Sequence, residues 1–141
     1  MLPTDYSLVL RIVVAALLGA MIGLEREIRG KTAGLRTNIL VCVGSALITL
    51  TGMYGFEGAI DPSRLAAGII TGIGFLGAGA IIAAGREVHG LTTAASIWVV
   101  SAIGISVGTG LYFVGVATAI LVVLVLELWR IEYPRHKKKL E

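Results

Sequence analysis

Charge is what this sequence has least of. Only 15% of its 141 residues are Asp, Glu, Lys or Arg, against about 25% in an average chain. With 56% hydrophobic residues and a mean hydropathy of +0.89, that deficit assigns the chain to a lipid bilayer. Cysteine is nearly missing too. Cys42 stands alone in an apolar run, so no internal disulfide forms and the redox compartment stays open. His-Glu-x-x-His does not occur, and His89 and His136 both lie outside the apolar runs. These absences argue against an enzyme and supply no cofactor or metal site. No carboxylate falls in the middle of an apolar run, where proton relays and coupled pumps place one. No basic stretch precedes the first run, so no cleavable signal peptide is expected.

What is present is glycine, 19 of it, and five apolar runs: 8–24, 35–54, 65–84, 91–108 and 111–129. Each approaches the roughly 20 residues that span a bilayer core as a helix. The fold class is therefore an all-α integral membrane bundle of five transmembrane helices. It forms one domain, residues 1–133, followed by a basic tail, residues 134–141. Arg26, Arg29, Lys31, Arg36, Arg86, Arg130, Arg135, Lys137, Lys138 and Lys139 fall on one side of the runs, and Arg64 alone on the other. The positive-inside bias then puts the N-terminus outside and the C-terminus in the cytoplasm. An odd number of spans demands the same arrangement. The net charge of +3 is read as this loop bias, with no nucleic-acid partner.

The third run organises the rest. It carries no charge and no proline, and Gly68, Gly72, Gly74, Gly77 and Gly79 interrupt it. Glycine weakens a soluble helix by about 1 kcal/mol, but in lipid it lets two backbones approach closely. At 100° per residue Gly68, Gly72 and Gly79 share one face, and Gly74 and Gly77 lie nearly opposite. Two bare faces imply neighbours on both sides, so this helix is expected at the centre of the bundle, one face serving the bundle and the other self-association or a partner. Gly72, Gly74 and Gly77 also satisfy G-x-G-x-x-G, yet a dinucleotide site needs a preceding strand and an acid about 20 positions on. Glu87 comes only ten residues after Gly77. Gly19 and Gly23, with Ala15, make a second close-packing stripe in span one.

Polar residues gather at the cytoplasmic boundary. Glu25 and Arg29 are spaced for an i, i+4 pair, Gly30 suits a helix C-cap, and Arg36 and Asn38 fall in the first turn of span two. Glu25, Arg26, Glu27, Arg36 and Asn38 are expected to form one site, with Arg36 paired to Glu25 or Glu27. The alternative is a set of boundary anchors. Thr92 and Thr93 open span four, where hydroxyls cap free N–H groups. Arg11 lies a turn inside the outer end of span one, with Asp5, Glu57 or Asp61 as candidate partners by snorkelling. Glu127 is spaced to pair with Arg130. Span five, nearly continuous Val, Leu and Ile, reads as a peripheral helix with Gly115 and Ala119 toward a neighbour.

Three stretches together resemble the MgtC/SapB family of bacterial inner-membrane proteins: LLGAMIGLEREIRGKTAGLRTNILVCVGSAL (17–47), RLAAGIITGIGFLGAGAII (64–82) and GLTTAASIWVVSAIGI (90–105). The resemblance implies a multi-pass inner-membrane domain of five spans. It further implies a role in adaptation to low magnesium, links to virulence in some members, and restraint of the F-type ATP synthase as a partner. Two functions remain in view. One is a non-catalytic regulatory module that docks membrane partners and itself. The other is a permease or channel for Mg2+ or another ion, built on backbone carbonyls if the third helix is broken.

Overall fold

The computed structural model describes residues 5–56, 61–84 and 87–128. Five helices follow one another: α1 (Asp5–Ile28), α2 (Leu35–Tyr54), α3 (Pro62–Gly79), α4 (Leu91–Thr109) and α5 (Tyr112–Glu127). A two-stranded antiparallel hairpin, β1 (Ile82–Ala84) and β2 (Glu87–His89), sits between α3 and α4. α1, α2 and α4 are long and apolar enough to cross a membrane; α3 and α5 are apolar but shorter. The basic tail 134–141, Glu57, Arg130 and the aromatic pair Trp129 and Tyr133 lie outside the described residues.

The helix ends follow local chemistry. α1 runs four residues past the apolar run that ends at Leu24, as the Glu25–Arg29 spacing and a cap at Gly30 imply, because Glu25, Arg26 and Glu27 are good helix formers. Gly30 then stops it at φ +61, with the Lys31 amide on the Arg26 carbonyl, in a left-handed cap that glycine enters without strain. Asp61 caps α3 by accepting from the Ser63 amide at 2.9 Å, and Pro62 occupies its first turn. Those hydrogen bonds, from the Ser63 hydroxyl and amide, hold the Asp61 carboxyl below the ordinary carboxylate range. α3 ends at Gly79, five residues before the expected Ala84. Residues Ile82–Ala84 leave the helix to pair with Glu87–His89, after a helix end weakened by Gly77 and Gly79.

The third helix is not central, which corrects the expectation drawn from its glycines. α3 packs mainly on α4, near Gly77, and less on α2, where Leu65 lies against Gly52. A Cβ at Gly77 would sit 3.6 Å from Ala94, an ordinary contact, whereas Gly68, Gly72, Gly74 and Gly79 have nothing within 4 Å. Gly72, Gly74 and Gly77 lie within the helix, not between a strand and a helix as a dinucleotide loop would. The centre is instead α4, which packs on all four other helices, with α2 clasped between it and α1. Gly19 of α1 approaches the Asn38 carbonyl so closely that a Cβ would come to 2.7 Å, and a Cβ at Gly23 would come to 2.8 Å from Leu35 Cα. On the other side, Gly104 lies against the Cys42 carbonyl, and a Cβ at Gly108 would come to 2.9 Å from Thr49 Cβ. Ile22, Val100, Ile103 and Val107 fill the seams and are almost wholly buried. Lipid is as apolar as these side chains, so close packing and not water exclusion holds the three helices together. α5 lies outside them, with Gly115 and Ala119 turned inward and Phe113, Leu121 and Leu124 exposed.

Among the described residues Arg11 pairs with neither Asp5 nor Asp61, and Glu57 lies outside them. It donates to the Gly108 carbonyl at 2.7 Å, with its guanidinium 5.8 Å from the Tyr54 ring centroid. A cation at the C-terminal end of α4 faces the negative end of the helix dipole, which favours it.

Candidate functional site

At the opposite end of α4 the polar residues converge on a cleft of about 730 Å³. The end of α1, the 30–32 turn, the hairpin, the start of α4 and the end of α5 form its walls. Arg26 is the innermost member. Only 3% of its surface is exposed, and its Nη2 donates to Thr93 Oγ1 at 2.9 Å. Thr93 is buried as well, and the exposed Thr92 lines the mouth. Gly90 brings α4 to this point at φ +89, with its α-carbon so near the Ala80 carbonyl that a side chain would collide. Glycine is required there for both reasons.

Arg29 closes one wall. Its Nε lies 3.2 Å from Glu25 Oε1, the expected i, i+4 pair, and its Nη2 lies 2.7 Å from Glu127 Oε1. The second bond ties α5 to α1 across 98 residues, while the expected Glu127–Arg130 pair falls on a residue outside the described ones. The only sequence signal of that bond is that both residues fall at the ends of their runs that the charge bias assigns to the same side.

The expected five-residue site separates into parts. Glu25 and Arg26 line the cleft. Glu27 turns away and accepts from the Leu35 amide at 2.8 Å, capping α2, whose own N-cap, Gly34, has no side chain to offer. Gly34 must be glycine for this to happen, since a Cβ would overlap the Glu27 carboxylate. Asn38, fully buried, donates through Nδ2 to the Ala33 and Gly34 carbonyls and so pins the return loop. Arg36 is exposed and, among the described residues, forms no ion pair, so its pairing with Glu25 or Glu27 is not made. Both carboxylates are engaged elsewhere. Three cations (Arg26, Arg29 and Lys31) and one carboxylate, Glu25, line the cleft. Among the described residues no three His, Cys, Asp or Glu side chains meet as a metal site.

These boundary residues and the glycine seams lie within residues 12–132, the part of the chain that matches the MgtC family. The chain belongs to the MgtC family. It is 44% identical over 128 residues to YhiD of Escherichia coli K12, which that protein's name describes as a candidate magnesium transporter. That match covers 86% of this chain and 60% of YhiD. It is also 44% identical to the MgtC proteins of Salmonella typhimurium LT2, over 83% of this chain and 50% of that protein, and Brucella abortus, over 82% and 48%. The chain thus spans about half to three-fifths of the length of these relatives. No solved structure matches it.

Proposed function

We propose that this MgtC-family chain is a non-catalytic regulatory module of the bacterial inner membrane, with five spans, N-terminus outside, that acts in adaptation to low magnesium. Its working end is the Arg26–Thr93 cleft on the cytoplasmic side. The observation that carries this reading is how the hydroxyls inside the helices are used. Thr49, Thr71, Ser96, Ser101 and Ser106 each donate to a carbonyl of their own helix at 2.7–3.0 Å. Bonded backward in this way, the hydroxyls donate within their own helices and not across the bundle, so they build no hydrogen-bonded chain between helices. Backbone contacts at Gly19, Gly104 and Gly108 support the same reading, because they leave no lumen between α1, α2 and α4.

The open glycine face of α3, around Gly68 and Gly72, suits a helix of a second copy or of a membrane partner such as the F-type ATP synthase. Transport of Mg2+ is the second reading, favoured by the name of YhiD. The test is the full chain in liposomes loaded with a magnesium-sensitive dye, beside growth of a deletion strain in low magnesium. The regulatory reading expects restored growth and no flux above protein-free vesicles. Flux that saturates with external magnesium refutes it.

A further inference from the structure

Both ends of α4 receive an arginine, and only one of them is electrostatically sensible. Arg11 at the C-terminal end meets carbonyl oxygens. Arg26 at the N-terminal end meets the positive pole of the helix, where the amides of Leu91, Thr92 and Thr93 have no intrahelical acceptor. No side chain caps this end, and no acidic residue occupies its first turn. Arg26 is itself nine-tenths buried and, among the described residues, its Nε has no hydrogen-bond partner and its one bond goes to the neutral Thr93 hydroxyl. The nearest carboxylate in sequence, Glu25, acts on Arg26 through its charge, but its Oε1 is placed on Arg29 and it bonds neither Arg26 nor the α4 amides. A buried guanidinium and a helix N-terminus, brought together with no anion bonded to either, repel each other, and a ligand of opposite sign relieves that cost.

We infer that the Arg26–Thr93 corner of the cleft binds a phosphate group, held between the Arg26 guanidinium, the first-turn amides of α4 and the Thr92 hydroxyl. Planar guanidinium donors and convergent amides match phosphate oxygens. The cleft opens at the level where α1 and α5 reach the expected membrane boundary, so the group is carried either by a lipid headgroup or by a soluble phosphate. The inference rests on the cleft's being the working end, but its test needs no partner protein.

The full chain, purified in maltoside micelles that contain no phosphate, is melted in chloride and in inorganic phosphate at equal ionic strength. A second series adds phosphatidylglycerol, or diacylglycerol as its phosphate-free control. Binding at ten times the dissociation constant raises the melting temperature by about 3–6 °C. A rise with inorganic phosphate assigns a soluble ligand, and a rise with phosphatidylglycerol alone assigns a lipid. Arg26→Gln abolishes the rise and Arg36→Gln keeps it. Should Arg26→Gln fail to fold, Thr92→Glu serves instead: its tethered carboxylate occupies the exposed mouth, raises stability without ligand and removes the phosphate response. No rise with either phosphate source overturns the inference, and so does a rise that survives Thr92→Glu or disappears in Arg36→Gln. A protein that binds phosphate and also conducts magnesium keeps this inference and loses the proposed function; one that restores growth without flux but ignores phosphate does the reverse.

Discussion

Replacing Gly104 with alanine places a methyl group against the Cys42 carbonyl, 2.8 Å from Ser45 Cβ and 3.1 Å from the Cys42 carbonyl carbon. Ordinary carbon contacts begin near 3.5 Å, so α4 and α2 must part by roughly 0.7 Å. Two of the three obstructing atoms are backbone and cannot rotate away. Overpacking of this kind costs about 1–3 kcal/mol, and the better helix propensity of alanine returns up to about 1 kcal/mol. The net loss is about 1–2 kcal/mol, or about 3–8 °C of melting temperature for a chain of this size. Gly72→Ala is the control. It meets nothing within 4 Å, so stability should stay level or rise by up to about 1 kcal/mol. Melting of both variants in micelles, followed by size-exclusion chromatography of the heated samples, measures the difference. Equal losses at the two positions, or none at Gly104, would refute the close packing of α4 on α2.

Thr93→Val leaves Arg26 buried without its one acceptor and should destabilise by about 1–3 kcal/mol, read as a lower melting temperature that Thr93→Ser largely restores. Arg29→Glu should loosen α5, and adding Glu127→Arg should recover part of the lost stability if the 2.7 Å pair ties the helices; no recovery in the double variant contradicts that tie. Asp61 has a lowered carboxyl pKa in the folded chain, so its contribution is present above the unfolded value near 3.9 and fades as pH falls through the folded value. Asp61→Asn should therefore melt lower than the parent at pH 6 and match it near pH 2, as melting curves across that range will register. For topology, single cysteines at Ser7 and Lys31 in a Cys42→Ser background should react with an impermeant reagent on intact cells at Ser7 only.

Much of this protein was legible before any coordinates. The membrane class follows from composition. All five helices begin within three residues of where the apolar runs begin, because hydrophobic length and local breakers such as Gly30 and Pro62 act on the chain next to them. The pair of Glu25 with Arg29 is local in the same sense. The central helix was not legible. A glycine permits close approach to a neighbour but carries no label for which neighbour makes it, so the five glycines of α3 pointed to a centre that Gly19, Gly23, Gly104 and Gly108 build elsewhere. The cleft was half legible. Glu25, Arg26, Thr92 and Thr93 were singled out by type and position, but their partners were not. Arg26 reaches Thr93 across 67 residues and Arg29 reaches Glu127 across 98. No spacing rule extends that far. Those contacts exist only once α1, α4 and α5 are packed, and packing alone turned a solvated boundary charge into a buried arginine facing a helix N-terminus.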